Sequence, residues 1–206
     1  MLGAVDGNLP WPSGASSSDS GQGSVFMVIS AASGEGRTTA AASMGWALGP
    51  VARTLLVDAH TEVAGLSALF GVDHEPGLTD VLCDEVVADD VCRLTERAGL
   101  FILPAGQKSD AAASLYRQGG FADFLARLRR DWDRVIFDTP PFLDHPDASV
   151  LARHTDGAVL VVSSEETHRA VASLVKERLE SAQGALVGVV LNQRRLHIPD
   201  WIYRAL

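Results

Sequence analysis

The stretch Ser30 to Thr39 (SAASGEGRTT) has the residue types and spacing to hold a polyphosphate. Gly34 and Gly36 permit tight backbone turns, so successive N–H groups can face phosphate oxygens. A helix opening near Thr38 adds the positive end of its dipole. Thr38 stands where such a loop places the hydroxyl that serves Mg²⁺. Ala31 replaces the usual first glycine. Arg37 replaces the usual phosphate-neutralising lysine, keeping the charge on a bulkier, planar, forked group. The plainer alternative is a glycine-rich turn without a ligand. Two aspartates argue against it. Asp138 ends an apolar strand and precedes Thr139-Pro140-Pro141, the setting of a carboxylate that serves Mg²⁺ or its water shell. Asp58 ends a second such strand. Each aspartate alone would also serve as a cap for the element that follows.

These residues need a scaffold, and the hydrophobic pattern supplies one. Residues 25–30, 54–58, 100–104, 134–138, 157–162 and 185–191 are short apolar runs, the signature of strands buried on both faces. Between them lie helical stretches over 38–48, 120–130 and 167–183. Phe121, Phe124, Leu125 and Leu128 form the apolar face of the second. The pattern predicts an α/β fold: a single doubly wound, mostly parallel sheet with helices on both faces. Ligands bind beyond the carboxyl ends of such strands, where both aspartates fall. Residues 1–24 are rich in Gly, Ser, Pro and Asp without apolar period, and read as a flexible arm carrying Trp11. The nucleotide-binding domain is expected over 25–196. A short helical tail over 197–206 follows, with Ile198, Trp201, Ile202 and Leu206 on one face. That face suits packing back onto the domain, or docking on a partner or membrane.

Composition narrows the class. The 206 residues carry 17 Lys+Arg against 26 Asp+Glu, a net charge of −9. Such a chain is not built mainly to hold nucleic acid. Hydrophobic residues make up 47 %, too many for global disorder. Two cysteines, Cys83 and Cys92, exclude a disulfide scaffold and are expected as small buried residues. No secretory signal and no run of spanning length is seen, so a cytoplasmic location is expected.

Several longer stretches carry a resemblance: SAASGEGRTTAAASMGWAL, TLLVDAHTEVAGLSALFGVDHEPGLTDVL, LFILPAG, WDRVIFDTPPFLDHPDASVLARHTDGAVLVV and GVVLNQRR. Over roughly residues 25–195 the chain resembles the P-loop bacterial tyrosine kinases of capsule and exopolysaccharide synthesis, within the deviant-Walker ATPases that include MinD and ParA. The resemblance implies a P-loop NTPase fold that binds ATP or ADP with Mg²⁺. It implies that Ser33, Gly34, Glu35, Gly36, Arg37, Thr38 and Thr39 wrap the phosphates and that Asn192 reads adenine. It gives Thr38, Asp58 and Asp138 to the metal, and Asp58 and Arg37 to catalysis.

The departures from that pattern bear on activity. The family's D-x-D-x-R motif reads Asp58-Ala59-His60-Thr61-Glu62 here, so its second acid and its arginine are replaced. The family's tyrosine-rich tail is reduced to Tyr203. The resemblance therefore implies a regulator of exopolysaccharide or capsule biosynthesis with weak or no kinase activity. Its expected partner is the cytoplasmic segment of a membrane polysaccharide co-polymerase or export protein, with self-association as a further expectation. The alternatives are an active autokinase using Tyr203 as acceptor, a MinD- or ParA-type positioning ATPase, and an interaction module with an empty loop.

Overall fold

Short runs of β-branched and aromatic residues form the middle of the molecule. The computed structural model describes residues 22–83, 86–108, 116–117 and 119–194. The strands are β1 (Ser24–Ser30), β2 (Thr54–Asp58), β3 (Arg93–Leu94), β4 (Leu100–Leu103), β5 (Arg134–Asp138), β6 (Gly157–Ser163) and β7 (Leu186–Asn192). They make one sheet in the order β3-β4-β2-β5-β1-β6-β7. Every neighbouring pair is parallel except β3 with β4. The helices are α1 (Arg37–Leu48), α2 (Gly65–Phe70), α3 (Leu78–Leu82), α4 (Ala88–Val91), α5 (Gly119–Asp131), α6 (Pro146–Ala152) and α7 (Arg169–Ser181).

The sheet is covered on both faces, as the continuous apolar strands require. On one face Met27, Ile29, Val57 and Phe137 pack with Phe121, Phe124 and Leu128 of α5, Leu151 of α6 and Val175 of α7. On the other, Val28, Leu56, Ile102 and Ile136 pack with Ala41 and Met44 of α1 and Leu66 of α2. Alternate residues of one strand thus serve two cores. Gly45 lets α1 approach closely, since a Cβ there would lie 2.9 Å from the Leu56 side chain. The doubly wound α/β fold is therefore the one the pattern predicts.

The differences are local. All six expected strands are present, and β3 is an addition of two residues, too short to show a period. Helices α2, α3, α4 and α6 are likewise four to seven residues long, below the length at which an apolar stripe is legible. The cysteines depart from expectation: Cys83 is exposed and Cys92 half-buried. Cys83 is the C-terminal cap of α3. Of the expected arm, Gly23 N donates to Arg129 O and Ser24 opens β1. Its first 21 residues, with Trp11, and the expected tail, with Trp201 and Tyr203, lie outside the described residues. Among the described residues no helix is long and apolar enough to cross a membrane.

Strand register positions the chemistry. Asp58 and Asp138 are directly paired neighbours on β2 and β5. Asp138 also pairs with Val28, so β1 runs two residues further and ends on Ser30. Three strand ends therefore converge at one point of the sheet edge, and each carries a polar residue.

Candidate functional site

The loop between β1 and α1 is held open from several sides. Gly34 and Gly36 adopt φ +86° and +88°, the left-handed region that glycine enters without strain. Gly36 also has no room for a side chain, because a Cβ would run into the Asn192 amide nitrogen. That nitrogen donates to the Glu35 carbonyl at 2.9 Å, and Gln193 Nε2 donates to the Gly34 carbonyl at 2.7 Å. The Glu35 carboxylate is buried, only 5 % exposed. Its Oε2 accepts from the backbone N–H of Ala31 at 2.7 Å and of Ala32 at 3.0 Å. Its Oε1 accepts from the Thr167 hydroxyl, which itself accepts from Ser163 N at 2.9 Å. The Glu35 side chain is thus turned into the loop, and Ser33 and Thr39 are exposed on it.

Beneath the loop the charged groups are closed on one another. Arg37 is 7 % exposed and Asp138 fully buried. Arg37 Nε donates to Asp138 Oδ1 at 3.3 Å, and Nη1 donates to Ser30 Oγ at 2.7 Å. Nη2 lies 3.4 Å from His60 Nδ1, which must be the acceptor because a guanidinium only donates. The Ser30 hydroxyl itself donates to Ala32 O at 2.9 Å. Asp58 Oδ2 accepts from both the backbone N–H and the hydroxyl of Ser67 at 3.1 Å. His60 in turn meets His145 edge to face, with ring centroids 5.9 Å apart, and His145 Nδ1 lies 3.8 Å from Glu62 Oε1.

Burial sets the protonation of this floor. It pushes the Asp138 carboxyl up to about 6, with the Asp58 charge adding to the rise. The Arg37 guanidinium and the nearby Thr38 hydroxyl pull the other way. Asp58 is also raised by burial, against the Ser67 hydrogen bonds. Burial, then the positive charges of Arg37 and His145, depress His60 to about 4. His60 is accordingly neutral at physiological pH, consistent with its acceptor role.

The structure brings Arg37, Thr38, Asp58 and Asp138 together under the loop, with Asn192 against its outer side. A divalent cation fits these residues. Asp58 Oδ1 and Asp138 Oδ2 are buried without a hydrogen-bond partner, the condition that a cation relieves. Thr38 adds a hydroxyl beside Asp138. No cluster of three acidic, histidine or cysteine side chains occurs among the described residues, so phosphate and water oxygens would complete the shell.

Sequence reasoning counted Ser30 in the loop but gave it no role, and missed Ser67, Thr167, His145 and Gln193 as parts of the site. Ser30 and Gln193 adjoin expected positions and were reachable as the last residue of a strand and the neighbour of Asn192. Ser67, Thr167 and His145 carry no local signal, because only the fold brings them to the loop or its carboxylates.

A family model described as cellulose biosynthesis protein BcsQ matches residues 25–196. The tyrosine-protein kinase YwqD of Bacillus subtilis is 30 % identical over 171 residues, 82 % of this chain and 72 % of that protein. The crystal structure of the VpsO kinase domain is 30 % identical, with a TM-score of 0.80 over 84 % of this chain and 86 % of that one. The cell division ATPase MinD of Pyrococcus furiosus is 26 % identical, with a TM-score of 0.70 over 89 % of this chain and 78 % of that one.

Proposed function

This chain belongs to the P-loop bacterial tyrosine kinase family, and from that premise we propose that it is an ATP- and ADP-binding regulator of exopolysaccharide or capsule biosynthesis with little or no kinase turnover. The observation that carries the reading is the contrast at Arg37. The backbone around it is held by Glu35, Asn192 and Gln193 in a glycine-turned loop, which supports polyphosphate binding, while its guanidinium is spent on Asp138, Ser30 and His60. Binding depends mostly on the loop amides and the start of α1. Phosphoryl transfer depends on positioned charge at the reacting group, so a cation held on its own carboxylate lowers rate more than affinity.

In this reading Ser33 to Thr39 wrap the phosphates, and Asn192, standing at the end of β7 against the loop, contacts the adenine. Thr38, Asp58 and Asp138 would hold Mg²⁺, which when bound neutralises phosphate charge. Asp58, anchored by Ser67, is the remaining carboxylate able to accept a proton. His60 is neutral, faces Arg37 and is a poor ligand for a hard cation. The partner in this reading is the cytoplasmic segment of a membrane polysaccharide co-polymerase or export protein, which would hold the chain at the inner membrane. Self-association is compatible with the same role.

The test is calorimetric titration with ATP and ADP, with and without Mg²⁺, followed by a phosphotyrosine assay with labelled ATP. The expected result is saturable binding of both nucleotides and no robust label, alone or with the partner segment. Label on Tyr203 that disappears in Tyr203→Phe would establish an autokinase instead. Absence of binding by either nucleotide would leave an interaction module.

A further inference from the structure

A concavity lies outside the phosphate loop, between α6 and the C-terminal end of α7. Its volume is about 480 Å³, and none of residues 30–39 lines it. That size suits a small ligand rather than a flat protein contact. Arg117, just before α5, Arg153, at the C-terminal end of α6, and Arg178, in the last turn of α7, converge on it. Asp144 is the one carboxylate in the lining. Three guanidinium groups against one carboxylate is a local excess of positive charge in a chain whose net charge is −9.

Among the described residues none of these three arginines has a carboxylate within ion-pair distance. Two other arginines at the surface have a carboxylate partner: Arg129 with Asp156 at 2.6 Å and Arg130 with Asp131 at 2.8 Å. Phe142 and Pro146 give the cleft an apolar wall beside the charges. Like charges drawn from three separate elements repel one another, and an anion between them removes that repulsion. The guanidinium fork pairs with two oxygens of a phosphate at once.

We propose that this cleft is a second ligand site, which takes a small molecule carrying two or more phosphate charges. The arginines hold the phosphates, and the Phe142 and Pro146 side receives the less polar part of the ligand. The cleft includes no residue of the nucleotide loop, although His145 in its lining meets His60 beneath that loop, and it stands whether or not the loop binds ATP.

Pyrophosphate is the probe, titrated by calorimetry into the wild-type chain, into Gly36→Leu with its loop obstructed, and into the triple variant Arg117→Gln, Arg153→Gln, Arg178→Gln. All three arginines are exposed, so the triple variant keeps the fold. Two sites are expected in the wild type, one of them surviving in Gly36→Leu. The triple variant is expected to weaken that surviving site by at least about tenfold, as the loss of several charge-assisted contacts implies. One wild-type site that is indifferent to Gly36→Leu but lost in the triple variant supports the cleft and removes the loop assignment. A triple variant that titrates like the wild type overturns the proposal. So does arginine-dependent binding of a glutamate-rich peptide where pyrophosphate does not bind, since the cleft is then a protein-docking surface.

Discussion

The backbone of the phosphate loop and the side chains beneath it are built on opposite plans. The loop is stapled open: Glu35, Asn192 and Gln193 use their polar atoms on its backbone. The floor is closed on Arg37: its guanidinium is taken up by Asp138, Ser30 and His60. A loop whose shape is fixed beforehand spends little free energy on ordering when a ligand arrives. A floor whose cation already has a carboxylate must break that pair before it can act on a phosphate. The difference teaches that loop shape and charge placement, which share one motif in the sequence, are set here by separable sets of atoms, so the proposed reading expects binding and turnover to come apart.

The comparison breaks most sharply at Gly36. Gly36→Leu combines strain at φ +88° with a collision against Asn192, and ATP and ADP affinity is expected to fall by about 100-fold. Circular dichroism should remain unchanged, because Gly36 belongs to neither core. Unchanged affinity would remove the loop from the binding site.

Glu35 tests the staple itself. Glu35→Ala leaves two loop amides and the Thr167 hydroxyl without their acceptor, at a cost of about 2 kcal/mol in stability. ADP affinity is expected to drop roughly tenfold, with most of it restored in Glu35→Gln, which keeps a carbonyl oxygen for the amides. Equal affinity in all three proteins, by calorimetry, would show that the loop needs no staple.

Arg37→Lys sharpens the other half. An ammonium on a flexible stem cannot hold Asp138, Ser30 and His60 in one planar fork, so part of the charge becomes available to phosphate. Phosphate release from ATP is expected to rise several-fold, roughly 1 kcal/mol in the barrier, with a small change in affinity. A fall in release would mean that the guanidinium is tuned to this floor.

The smallest effect is in pH dependence. His60 falls from its ordinary value to about 4 on folding, so between pH 4 and 6.5 the unfolded chain binds its proton and the native one does not. That contribution makes stability rise with pH across the window. Asp138 is raised to about 6, so the native state holds the extra proton, and its contribution falls from pH 4 to 6. The two oppose each other. In His60→Gln the rising contribution is gone, and melting temperature should decline by a few degrees more than in the wild type from pH 4.5 to 6. Parallel melting curves in the two proteins would show that His60 titrates as it does when unfolded.

The sequence by itself determined six of the seven strands, the two-faced sheet, the glycine-rich turn and the two strand-ending aspartates. Those are local quantities, written in runs of five to seven residues and in backbone preferences that need no partner. The fate of each polar side chain was decided only by tertiary structure. Strand order places β5 between β1 and β2, and register sets Asp58 beside Asp138. Sequence spacing shows neither, because Asp138 is far from both strands along the chain. Arg37 reads as a phosphate ligand from its position in the loop. It turns to Asp138 instead, because a buried carboxylate within reach is a stronger claim on a guanidinium than open solvent. Glu35 follows the same rule in reverse: its carboxylate turns inward because two loop amides and Thr167, brought from the end of β6, wait there to donate. Which charge meets which is settled by burial and proximity across the fold, and these are not local properties of a sequence.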